Sequence, residues 1–201
     1  YFKRFTRQMN IMRSLRHPNI LPLFGVCRFE ADLPPYLISP WMKYGDVRNY
    51  LKEFPGTADK LKLIHEVAIG LQYIHSLGIL HGNLNPTNVL VNIDHRVRLT
   101  GFSLSKELQG ETKNTNSNDH TQCLRWWSPE TIRSKTLSEQ SDVWSWGMTA
   151  LEILSGEYPY KQADSRLEVF DLVLKGEIPG PEQYHPQMAK ERIWTLIQEC
   201  W

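Results

Sequence analysis

The chain has 201 residues, 41% apolar and 22% charged, with 12 Gly and 12 Pro. That balance fits one ordinary globular domain and excludes a disordered tail, a collagen-like repeat or a disulfide scaffold. With 23 basic against 22 acidic residues the net charge is +1, so the totals carry no electrostatic footprint for nucleic acid or a membrane surface.

Phe2, Phe5, Met9, Met12 and Leu15 recur at three- and four-residue steps and predict a helix. It ends at His17-Pro18, because the residue before a proline is pushed out of the helical region. Residues 20–29 are rich in strand formers, Asp32 to Pro35 reads as a turn, and Tyr36-Leu37-Ile38 as a second strand. Asp46 after Gly45 is an N-cap for a short helix through Leu51. Thr57 is read as the cap of a longer helix whose Leu61, Ile64, Ala68, Leu71 and His75 share one face, closed by Gly78. Short strands follow at Ile79-Leu80, Asn88 to Val91 and Val97 to Leu99. Glu107 to Thr121 is polar and low in complexity, the pattern of a loop. Helical pattern returns at about 139–155 (closed by Gly156), about 164–174 and about 187–201. Strands come early and helices late without a repeat, which is an α+β order. Tyr1 to Arg4 and Glu199 to Trp201 both fall inside helical pattern, as expected of a fragment.

Cys27, Cys123 and Cys200 are odd in number and far apart, with no CxxC pair. They favour reduced thiols and a cytoplasmic setting. His65 and His75 are ten apart with no cysteine close in sequence, so no zinc site is expected. No apolar run reaches the ~18 residues a membrane span needs, and no signal peptide is expected.

The segment His81-Gly82-Asn83-Leu84-Asn85-Pro86-Thr87-Asn88 is a polar loop between apolar strands, ending in an Asn able to offer an oxygen to a cation. On its own it reads as a hydrogen-bonded turn. Its spacing resembles the catalytic loop of protein kinases, H-R-D-L-x-x-x-N. Leu99 to Lys106, containing Gly101-Phe102, stands where that family has D-F-G, and Ser128-Pro129-Glu130 where it has A-P-E. Ser141 to Gly147 is similar to the helix that supports the catalytic loop, and Ile11 to Ile20 to the end of the regulatory helix and the strand after it. The resemblance, nearest to the tyrosine-kinase-like branch, covers essentially the whole chain. It implies a protein-kinase-like fold: residues 1–41 as the remainder of the small lobe, 42–201 as hinge and large lobe without its last helix.

The departures from that pattern lie at the chemistry. The base position is Asn83, whose amide cannot accept a proton; the loop Lys is Asn85; the magnesium Asp is Gly101; the Glu that pairs with the nucleotide Lys is Gln8. Asn88 alone remains as a weak metal ligand. The resemblance puts Met12, Leu23, His81 and Phe102 in the regulatory spine and Asp142 at its anchor. It pairs Glu130 with an arginine beyond Cys200-Trp201, which would leave that carboxylate buried and unpaired here. Ser39, Pro40, Met42 and Leu90 fall at the gatekeeper, hinge and floor of an adenine pocket, so ATP without magnesium is the cofactor expected. Thr112, Thr115, Ser117 and Thr121 lie in the activation-segment position, but Gly82 removes the Arg that would grip a phosphate there.

The implied function is a pseudokinase that scaffolds or regulates a partner protein, such as an active kinase. The alternatives are an unconventional Ser/Thr or Tyr kinase with ligands displaced to Asp94, Glu107 or Glu111, and a decayed product without selected function.

Overall fold

A computed structural model describes residues 2–28, 35–107, 123–184 and 192–201. Helix α1 (Phe2–Ser14) is followed by β1 (Gly25–Cys27) and β2 (Tyr36–Ile38), paired antiparallel with Val26 opposite Leu37. Only three residues of the expected 20–29 strand enter a ladder. Pro22 has no N–H to donate, and the chain before it pairs elsewhere: Leu21 N donates to Leu99 O at 2.9 Å and Leu99 N to Asn19 O at 2.8 Å.

Helix α2 (Val47–Glu53) is capped as expected, Asp46 accepting from Asn49 N. Helix α3 (Lys60–Ser76) is capped by Asp59, which accepts from Lys62 N, not by Thr57. Thr57 N instead closes the turn after α2 by bonding to Phe54 O. The buried face of α3 carries Leu63, Ile64, Val67, Leu71 and Ile74. Leu61, Ala68 and His75, expected on that face, line an open groove of about 830 Å³ between α3, α5 and α7.

Strand β3 (Ile79–Leu80) pairs with β6 (Lys106–Glu107), and β4 (Val89–Val91) with β5 (Val97–Leu99). The β4–β5 hairpin alternates strictly. Val89, Val91, Val97 and Leu99 are fully buried while Leu90 and Arg98 are half-buried. Its turn is held by Asn92, whose Oδ1 accepts from Asp94 N and Arg96 N. Asp94 is thus an exposed turn residue.

Helix α4 (Pro129–Ser134) was not expected from the sequence, although Ser128 as cap and Pro129 in the first turn are its ordinary start signals. Helix α5 (Glu139–Ser155) runs through the interior, with a Ser138/Ser141 capping box at one end and Gly156 in the left-handed region at the other. Helix α6 (Arg166–Leu174) and α7 (Arg192–Gln198) complete the fold. The expected start of the last helix at 187, the turn residues 32–34 and the threonines and serine of the polar loop lie outside the described residues. No helix among the described residues is long and apolar enough to cross a membrane. The three cysteines are free thiols.

A buried carboxylate joins α3 to the hairpin. Glu66, 3% exposed, accepts from Val97 N at 2.7 Å and from Arg96 Nε at 2.7 Å. Replacing it strands a buried N–H, whereas half-exposed Arg96 is replaceable by water. Glu66→Leu is expected to cost about 2–4 kcal/mol, and Arg96→Ala about 1 kcal/mol or less, read from denaturant midpoints at constant slope.

Candidate active site and its relatives

The loop between β3 and β4 is hung from α5 by one side chain. Asp142, 1% exposed, accepts from His81 N at 2.7 Å and Gly82 N at 2.8 Å. His75 Nε2 lies 2.9 Å from the same carboxylate, a third partner that no spacing in the chain points to. His81 is fully buried. Its Nε2 faces the Thr100 carbonyl at 2.9 Å, so the proton sits there, and Nδ1 accepts from Asn83 N at 3.2 Å. Burial is the main cause that pushes the imidazole below its ordinary value, outweighing the opposing pull of Asp142. The ring packs on Phe102 with centroids 5.1 Å apart. Met12 and Phe102 share one core cluster, with half-buried Leu23 packed against it.

The amides of the loop bond to each other. Asn83 O accepts from Asn85 Nδ2 at 3.0 Å and from Asn88 Nδ2 at 2.7 Å. Asn83 Oδ1 lies 3.3 Å from Asn85 Nδ2 and accepts from the Cys123 thiol at 3.1 Å. Asn85, 3% exposed, turns its Oδ1 to Thr87 N at 3.0 Å and so caps the 3-10 turn Pro86–Asn88. Gly101 has φ +84°, and a Cβ built there would fall on the carboxamide of Asn88. At Gly82, φ +70°, a Cβ would meet Leu137. At both glycines the room a side chain would need is therefore filled by neighbours. Gln8 is half-buried on α1, with its amide 3.8 Å from the Met12 sulfur.

Pro40, Met42 and Leu90 line a cleft of about 480 Å³ with Trp41, Tyr44 and Asn49; Ser39 is not among its walls. Gly45 N takes the Met42 carbonyl at 3.0 Å. Glu130 is exposed in the first turn of α4. That corrects the expectation of a buried, unpaired carboxylate, since its helix turns it to water, where an acidic group near the N-terminus is favoured. Among the described residues no cluster of three His, Cys, Asp or Glu able to hold a metal occurs.

The family model for protein tyrosine and serine/threonine kinases matches residues 2–201. The chain belongs to that family. It is similar to the tyrosine-protein kinase SPK-1 of Girardia tigrina, 31% identical across 99% of this chain and 41% of the relative. It is also similar to the human tyrosine-protein kinase FRK, 29% identical across 98% of this chain and 39% of the relative. The mouse tyrosine-protein kinase ABL2 is 28% identical over 98% of this chain and 16% of its own length. The chain thus spans less than half the length of these curated relatives. The fold is the α+β kinase fold, with a partial small lobe and a mainly helical large lobe.

Two outcomes test the site's energetics. Asp142→Asn removes the charge that two backbone N–H groups share, and is expected to cost about 2–4 kcal/mol in denaturant unfolding. For His81 the folded value lies below the ordinary 6.5. Below that pH the unfolded chain takes up a proton that the folded chain refuses. Stability is therefore full above about pH 6.5 and falls as the pH drops. His81→Gln, which keeps a donor for the Thr100 carbonyl, is expected to flatten that slope in unfolding curves between about pH 7.5 and 5.

Proposed function

We propose that this chain is a kinase-fold binding module, a pseudokinase that does not transfer phosphate by the family's chemistry. The observation that carries the reading is the set of amides Asn83, Asn85 and Asn88 that bond one another beside a bare Gly101. An amide at position 83 cannot take a proton from a substrate hydroxyl, and loss of a positioned base costs roughly 10²–10⁴ in rate. The residues present do not fit a magnesium ion either. Gly101 brings no carboxylate, and the Asn88 carboxamide occupies the space where one would stand. Magnesium holds its waters and prefers carboxylate oxygen, so the single amide oxygen of Asn88 is a poor substitute. Asn85, buried and capping its own turn, offers no cation to a phosphate.

The adenine cleft fits a base better than the loop fits phosphates. Met42 N has no acceptor among the described residues, and Leu90 supplies an apolar floor. Adenine-nucleotide binding without metal is therefore part of the proposal. So are the division into a small-lobe remainder at 1–41 and a hinge with large lobe at 42–201, a protein partner such as an active kinase, and a cytoplasmic setting.

Radiolabel transfer from ATP is expected to be absent from the unmodified protein. Asn83→Asp alone restores a base without a clamp and is expected to stay inactive. Gly101→Asp must push Asn88 off Asn83 O and hold an aspartate at positive φ, costing about 1–3 kcal/mol of stability. Its expected gain is magnesium-dependent nucleotide binding more than turnover. The triple variant with Asn85→Lys is expected to remain well below the kinase range of about 1–100 s⁻¹. Robust transfer by the unmodified protein, lost on Asn88→Ala, would overturn the proposal in favour of a rewired kinase.

A further inference from the structure

The net charge of +1 conceals a segregation along the chain. Six Lys or Arg residues and no Asp or Glu precede Glu30, and the rest of the chain holds 17 basic against 22 acidic residues. Two of the early cations, Arg13 and Arg16, stand exposed where α1 ends, and Arg98 of β5 joins them there. We infer that this end of α1 docks a phosphorylated side chain of a partner protein.

The turn after α1 gathers the three arginines and is itself rigidly tied. His17 O accepts from Ile20 N at 3.1 Å, and His17 Nδ1 from Asn19 N at 3.1 Å. Asn19 then bonds both chain neighbours of Arg98: its Nδ2 donates to Val97 O at 3.1 Å, and its O accepts from Leu99 N at 2.8 Å. Arg98 therefore stands beside the turn, with its Nη1 3.4 Å from Ile20 O. Arg16 folds back on the helix end, its Nη1 donating to Arg13 O at 2.9 Å and to Leu15 O at 2.7 Å. Tyr73 of α3 braces the turn. Its hydroxyl accepts from Arg16 N at 2.9 Å, and its ring stacks on His17 with centroids 4.7 Å apart. The acceptors that Arg16 and Arg98 have found are neutral carbonyls, which orient a guanidinium without neutralising it.

No carboxylate balances these charges. Arg13, Arg16 and Arg98 have no ion pair among the described residues, whereas Arg96, two positions from Arg98, is taken by Glu66. Burial, and after it the charge of Arg98, push the His17 imidazole below its ordinary value, and no carboxylate among the described residues pulls it back. The carbonyl end of a helix favours a nearby cation, and Arg16 meets that need with two bonds. Arg13 and most of the Arg98 fork are left over. Guanidinium forks match phosphate oxygens, and a dianion suits several cations better than the single charge of a carboxylate. Single-stranded nucleic acid calls for stacking rings beside the charges, and Tyr73 is already stacked on His17. A membrane surface calls for an apolar anchor beside them, and no large apolar side chain among residues 5–23 is exposed.

These arginines belong neither to the asparagine loop nor to the adenine cleft, so the inference goes beyond the binding-module reading. Phosphoryl transfer by a protein that still binds the phosphopeptide would refute that reading alone, and absence of both activities would refute this inference alone. The test is fluorescence anisotropy on the purified chain. The probes are a labelled alanine–glycine peptide with one central phosphoserine, and its serine and glutamate counterparts. The phosphoserine peptide is expected to bind about tenfold or more tightly than either counterpart, and to weaken as NaCl rises from about 50 to 300 mM. Arg13→Glu, at an exposed position, is expected to reduce affinity about tenfold, and Arg98→Gln severalfold. Serine or glutamate peptides that bind as tightly as the phosphoserine one would overturn the proposal. So would no binding at all, unchanged affinity in an Arg13→Glu protein that is folded by circular dichroism, or tighter binding of oligothymidylate or phosphatidylserine vesicles through the same arginines.

Discussion

One buried carboxylate fixes the geometry on which the rest of this large lobe depends. Asp142 projects from α5 and takes the N–H groups of His81 and Gly82, so the loop backbone is bonded to the central helix, not only to its own strands. The charge is tolerable in the interior because these donors and His75 surround it. Once His81 is held, its ring sets the next layer: one nitrogen reaches the Thr100 carbonyl just before Gly101, the other accepts from Asn83 N. Phe102 packs on the ring's face. A single anchor therefore positions both halves of the site.

On that scaffold three asparagines bond one another and a thiol. Neutral amides both donate and accept, so these bonds form without an external ion. Asn88 is the hinge of this arrangement. Its carboxamide bonds Asn83 O and fills the space above Gly101, so the bare glycine and the turning-in of Asn88 are one structural fact. The same holds at Gly82, where Leu137 takes the room a Cβ would need.

Local signals in the sequence were legible. Asp46, Gly78 and Gly156 mark helix ends because caps act within a few residues. The kinase-like order of motifs located the loop and the Asp142 anchor. What escaped reading is what depends on distant partners. The face of α3 was misjudged because α5 and α7 leave Leu61 and Ala68 over an open groove. Pro22 broke a strand whose composition looked continuous. The buried pair Arg48–Glu152 joins residues 104 apart in the chain, and no spacing rule connects them.

The central claim is that the loop, with a bare Gly101 and the Asn88 amide oxygen as its one ligand atom, holds no magnesium site. The direct measurement is anomalous diffraction at the manganese edge, from crystals of the protein grown with manganese and a non-hydrolysable ATP analogue. The account predicts no anomalous peak at a metal–ligand distance of about 2 Å from Asn88 Oδ1, with Asn88 Nδ2 still on Asn83 O. A strong peak there, with a second protein oxygen on the ion, would contradict it.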